Sequence, residues 1–274
     1  RILALLRSDD LGARLRGASE AERGLSLHPS VTQALNDMLD DPNPYARASA
    51  AVALCRVSRR NPPITQLAEA LRSGEEGLVE AAARGAARLG PGALPLLEAL
   101  KAAFDAHPNS KGCARAILAT GSDGQDWIAT LLESASERRT TTLDERGVSA
   151  LWGVLDHGSA GRRVVLAIAR AAGSRDSLLA TEALTVAAEV VREPTERALI
   201  ALYVLGYGDA LRSRAALALL ATSPLSHDEL MEIARSGDLP LGPEALARAE
   251  EALAPRRGCV AAHRALGAGR SGSL

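Results

Sequence analysis

Asp41-Pro-Asn-Pro-Tyr-Ala-Arg47-Ala-Ser-Ala-Ala51-Val-Ala-Leu54 is the stretch from which the fold can be read. Asp-Pro sets a capping side chain ahead of a ring whose fixed φ suits the first helical turn. The run from Tyr45 to Leu54 is rich in Ala and free of Gly and Pro, which predicts a helix. Just upstream, Leu35-Asn-Asp-Met-Leu39-Asp-Asp41 has the apolar spacing of a shorter helix. The pair recurs 32 residues on. Leu35–Asp41 falls on Leu67-Ala-Glu-Ala-Leu71-Arg-Ser73, and Ala50-Ala-Val-Ala-Leu54 falls on Ala82-Ala-Arg-Gly-Ala86. One unit is thus a short apolar helix, a polar turn and a second, Ala-rich helix.

Outward from this unit, glycines that can cap a helix end punctuate the chain. The marks stand at Ser58 (in the glycine position), Gly90, Gly121, Gly173, Gly206 and Gly237, in steps of 32, 31, 52, 33 and 31. Asp123, Ser174 and Asp209 are predicted helix caps. Ser226-His-Asp-Glu229 and Thr142-Leu-Asp-Glu145 read as capping boxes. Leu94, Leu97, Leu100 and Phe104 mark one apolar helix face. A helical pair of this length cannot bury that face alone, so neighbouring pairs must stack.

Composition agrees. Of 274 residues, 54 are Ala and 43 Leu, and only 2% are aromatic, too few aromatics for a β-sandwich or barrel. The 47% hydrophobic content excludes a disordered chain, and a net charge of −1 argues against a protein dedicated to nucleic acid. No apolar run reaches the ~18 residues of a transmembrane helix. The gap between Arg1 and Arg7 is too short for a signal peptide, so a cytoplasmic location is expected. Cys55 and Cys113 sit in helical apolar patterns and are expected to be core residues, with Cys259 a tail thiol.

Residues 31–90 resemble HEAT repeats. The Asp-Pro, the Arg47 that follows, the paired alanines and Leu54 carry the resemblance. It extends more weakly over 91–254, where the Arg is lost and the Gly-turn-Leu punctuation remains. The resemblance implies an all-α fold, an α-solenoid of about six to seven stacked HEAT-like helical pairs spanning 1–254 as one array. It implies a scaffold and no particular chemistry. The long step holds about 20 extra residues, read as an insertion over 137–157: a polar loop, then an extra helix from about 143 to 156. Insertions in repeat arrays often map to a binding face, or are simply tolerated. The stretch 255–274 reads as a capping helix near 258–266 and a flexible basic end.

Charge is uneven. Residues 134–175 carry +3, residues 255–274 carry +4, and the rest carries −8. Such asymmetry fits either distinct partner surfaces or ordinary solvated charge. The leading expectation is a non-catalytic interaction scaffold that holds a protein partner on the surface of its second helices, on the insertion, or on both. Candidate binding residues are Arg47, Arg84, Arg88, Arg115, Arg162 and Arg163 on those helices, and Arg138, Arg139, Trp152 and Asp156 in the insertion. Membership of a larger bacterial assembly is an alternative.

An enzyme is the other alternative. Trp152 and Asp156 share a helix face, which is similar to the Trp and Asp of helical-repeat alkylpurine DNA glycosylases, although Gly153 stands where those enzymes carry an Asp. Bilin lyases are built from similar repeats, with no bilin site marked here. The sequence has no phosphate loop with Lys-Ser or Lys-Thr, no His-Glu pair of the di-iron HEAT-like hydroxylases and no zinc-ligand spacing, so no metal or cofactor is expected.

Overall fold

The structure, a computed structural model, describes residues 1–24, 28–56, 62–137, 145–174, 176–221, 223–236, 238–239 and 241–254. Arg138, Arg139, Cys259, the Ser58 and Gly237 marks, the Thr142 box and the helix expected near 258–266 lie outside these residues. The regular elements described are all helical, and none is long and apolar enough to cross a membrane.

The chain divides into two compact units, residues 1–131 with 145–158, and residues 132–144 with 159–274. The boundary falls inside one helix, α9 (Ser122–Glu137). Before it come α1 (Ile2–Leu6), α2 (Leu11–Arg23), α3 (Pro29–Asp37), α4 (Pro44–Leu54), α5 (Ile64–Arg72), α6 (Glu76–Leu89), α7 (Leu97–Ala106) and α8 (Lys111–Ala119). After it comes α10 (Glu145–His157), which belongs to the first unit.

Within that unit, alternate helices pack on one another. The series α2, α4, α6, α8, α10 is continuous, each helix against the next. The helices between them, α1, α3, α5 and α7, pack against members of this series from the other side, α1 also meeting α3 and α5 meeting α7. Alanines 46, 50, 51, 53, 82, 83, 86, 114 and 116 are fully buried along the series. Small side chains let helix axes approach closely, and Leu35, Leu54, Leu67, Leu100, Phe104 and Ile117 fill the remaining volume.

In the second unit, α11 (Arg162–Ala172), α13 (Pro194–Tyr207) and α15 (His227–Ser236) follow one another in the same manner. There α12 (Ser177–Val190) and α14 (Ala210–Ala221) pack together as the other layer.

The turn before α4 shows why Arg47 belongs to the pattern. Its Nη1 donates to Asp41 O at 2.8 Å and Pro42 O at 3.1 Å, closing the turn that launches its own helix. Arg14 does the same one helical pair earlier, donating to Ser8 O and Asp9 O at 3.0 and 2.8 Å. Arg197 does it in the second unit, with Nε donating to Val191 O at 2.5 Å and Nη2 to Ala188 O at 2.9 Å. Each is the fourth residue of its helix, as the spacing in Leu11-x-x-Arg14, Pro44-x-x-Arg47 and Pro194-x-x-Arg197 shows. The clamp arginine, read as lost after residue 90, is therefore present at Arg197, and the pattern begins at residue 8 rather than 31. Arg14 also faces Asp41 of the next helical pair in the same unit, with Nε 2.8 Å from Oδ2 and Nη2 3.4 Å from Oδ1.

Several helix ends differ from the sequence reading. Asn43, not Asp41, caps α4: its Oδ1 accepts from Tyr45 N at 2.9 Å, because Pro44 rather than Pro42 takes the first helical position. Asp176 caps α12, while Ser174 accepts from the Asp176 amide. Asp123 lies in the first turn of α9. Asp209 accepts from Arg212 N as expected. The Ser226 box forms in full, with Ser226 N donating to Glu229 Oε2 at 2.7 Å and Glu229 N to Ser226 Oγ at 3.3 Å. The Ser226 hydroxyl also donates to Glu229 Oε2 at 2.7 Å, and this bond, with that from the Ser226 amide, holds the Glu229 carboxyl below its usual range.

Gly90 and Gly121 take φ of +58° and +111°, as turn glycines should. Gly206 does not turn the chain. It lies inside α13, where a Cβ would stand 2.9 Å from Ala245 Cβ and 3.2 Å from Ala245 O, so it permits close helix approach.

Both described cysteines are core residues. Burial pushes the Cys55 thiol up to about 12 and Cys113 to about 11. Because the thiolate is the nucleophile, native protein at neutral pH is expected to leave both unalkylated by iodoacetamide, and urea should expose both. Peptide mass mapping checks this; rapid native labelling of Cys55 would contradict it.

Candidate functional site

Of the stretch expected to be an appended insertion, α10 packs as a regular member of the first unit. α10 is the last member of the series and lies directly on α8. Gly147, Ala150, Leu151, Gly153 and Val154 make its buried face. At Gly153 a Cβ would overlap Ala114 Cβ and stand 3.0 Å from Ala114 C and Arg115 N. Only a glycine lets the two backbones meet there. Trp152 is 37% exposed and lies off this face. The close contact is made by its neighbour Gly153, about 100° round the helix, on the face turned to α8. Trp127 behaves as expected of a stripe residue, its ring 5.8 Å from Phe104 and edge-on at 87°.

Seating α10 on α8 completes a groove of about 690 Å³ across α6, α8 and α10. Arg84 and Arg88 come from α6, Arg115 from α8, Gln125 from α9, and Asp156 and His157 from the end of α10. Ala87, Pro91, Leu118 and Ala119 supply apolar wall. Four of the ten sequence candidates thus converge on one surface: Arg84, Arg88, Arg115 and Asp156.

The charges in the groove are unequally matched. Glu22, at the end of α2, is shared by Arg88 at 2.6 Å and Arg84 at 3.5 Å. Its own carbonyl accepts from Arg56 Nη1 at 3.0 Å, which fixes the end of α2. Asp156 is 3.8 Å from Lys111 Nζ. Arg115 is half-buried, its Nε has no hydrogen-bond partner, and no carboxylate among the described residues is paired with it. Three guanidiniums therefore face two carboxylates, one of which is already neutralised by a lysine. Sequence reading missed Glu22 and Lys111, because their role depends on which helices become neighbours.

The other candidates lie elsewhere. Arg47 closes its own turn and is 3.8 Å from Glu69. Arg162 is in the second unit, paired with Asp238 and 4.0 Å from Glu196 beside a small cavity of about 180 Å³. Arg163 follows it on α11, exposed. Trp152 is not among the residues that line the groove with Asp156.

The second unit has its own groove, of about 770 Å³, between α12 and α14. Thr181 and Thr185 turn their hydroxyls back to Ser177 O and Thr181 O, at 2.7 and 3.0 Å, so those hydroxyls are satisfied within the helix. Leu184, Ala188, Ala215, Ala218 and Leu219 make the lining apolar. Arg197 and Arg212 border it but are engaged internally, Arg212 with Ser174 O and Asp209.

No protein-family model and no curated protein matches the chain.

Proposed function

We propose that this chain is a non-catalytic protein-interaction module, each unit a stretch of HEAT-like α-solenoid, and that it binds a protein partner through the groove across α6, α8 and α10. The observation that carries this reading is the convergence of Arg84, Arg88, Arg115 and Asp156, from three consecutive members of one packed series, on an open surface. A series of this kind offers neighbouring rungs at regular spacing, which suits an extended segment of a partner. The mixed lining, with apolar wall between charges, suits a protein segment better than a phosphate backbone, which would leave Ala87, Leu118 and Ala119 without an apolar partner. The clamp residues Arg14, Arg47 and Arg197 keep each turn closed and belong to the frame.

The reading is tested by capture from a lysate of the source organism, with the whole chain beside an Arg84→Glu/Arg115→Glu variant of unchanged helicity. A partner retained by the first and lost from the second is the expected result. Identical proteins on both, with no groove-dependent member, would overturn the proposal.

A further inference from the structure

We infer that the groove recognises carboxylates, and that its occupant is an acidic, extended segment of the partner protein. This inference rests on the interaction-module reading above and adds the chemistry of the ligand. The structure already contains one carboxylate held in the required manner: Glu22 sits against both Arg84 and Arg88. Guanidinium forks bind carboxylates through paired, charge-assisted hydrogen bonds, so this arrangement displays what the α6 arginines select.

Arg115, on the next member of the series, lines the same groove with no carboxylate among the described residues paired with it. Half-burial strips it of part of its hydration without supplying a counter-charge, a state that an incoming acid relieves. Between these points, Ala87, Leu118 and Ala119 accept the methylene groups of a peptide. Nucleic acid is disfavoured for a second reason: among the described lining residues only His157 offers an aromatic ring for base stacking. Glu22 also supplies an internal competitor. An acidic ligand that draws on Arg88 must share it with Glu22, so the native groove is held below its full affinity.

The test uses the full chain and a short fluorescein-labelled peptide of alternating Glu and Leu, with binding read by fluorescence anisotropy at low and moderate salt. Binding that weakens with salt is expected. Arg115→Gln should weaken it about tenfold or more, since a hydrogen-bonded charge pair is lost. Glu22→Gln should instead tighten it several-fold by releasing Arg84 and Arg88, and this opposite sign is not produced by general loss of structure. Circular dichroism on each variant keeps misfolding distinct from lost recognition.

No binding of the peptide, or binding indifferent to both variants, overturns the inference. So does groove-dependent preference for a single-stranded oligonucleotide over the peptide. If the peptide fails while lysate capture still depends on Arg84 and Arg115, the carboxylate chemistry falls and the interaction-module reading stands. If capture too is indifferent, both fall.

Discussion

Gly153→Val should cost the first unit about 3 kcal/mol, with Gly153→Ala intermediate between it and the native protein. An Ala in mid-helix would ordinarily gain about 1 kcal/mol over Gly. Here the added methyl overlaps Ala114 Cβ and crowds the α8 backbone at 3.0 Å, and backbone does not yield as a side-chain end does. α10 must then lift from α8, opening Leu151 and Val154, both fully buried, to water. The same displacement carries Asp156 and His157 away from Arg115, so peptide binding should fall along with stability.

Both tryptophans, Trp127 and Trp152, lie in the first unit, so urea unfolding followed by tryptophan fluorescence reads that unit. Far-ultraviolet dichroism reports the whole chain and should show the second unit less affected. A Gly153→Ala protein as stable as the native one would refute the close approach of α10 and α8.

Asp41→Ala is expected to cost about 2–4 kcal/mol, the second large effect. Asp41 and Arg14 expose only 9% and 17% of their side chains, so removing the carboxylate strands a guanidinium that is nearly out of water. The Asp41 side chain also accepts from Asn43 N at 2.9 Å, so the turn leading into α4 loosens as well. Arg14 keeps its bonds to Ser8 O and Asp9 O, which holds the loss below that of a wholly orphaned charge. In an Arg14→Met/Asp41→Ala double variant the cost should be clearly smaller than the sum of the single costs, because the stranded charge is gone. Additive costs would show that the two side chains do not act as a pair.

The two cases mark where the chain's physics is local and where it is not. Asp41-Pro-Asn-Pro-Tyr-Ala-Arg47 could be read directly, since a capped turn and an Ala-rich helix are decided within a few residues of themselves. The Ser226–Glu229 box and the buried cysteines were legible for the same reason. Arg197 carries the same three-residue spacing from a proline as Arg47, but the Asp-Pro and the paired alanines that mark Arg47 are missing around it. Its two carbonyl acceptors, not its neighbours in sequence, reveal the shared role.

For the candidate site, residue types were legible and their grouping was not. Arg84, Arg88, Arg115 and Asp156 span more than seventy positions, as do many arginines that end elsewhere, Arg162 among them. Trp152 drew attention as the bulky residue of its helix, while the contact that decides that helix's place is made by Gly153, whose missing side chain leaves no mark on an apolar pattern. By itself the sequence determined that the chain is helical, roughly where its helices begin and which of their faces are apolar, because propensity, capping and periodicity act within a turn or two. Only the tertiary structure decided that α10 belongs to the first unit, that Glu22 serves Arg84 and Arg88, and that Arg115 has no carboxylate partner among the described residues. Those outcomes follow from how closely two backbones can approach, which distant small residues settle together.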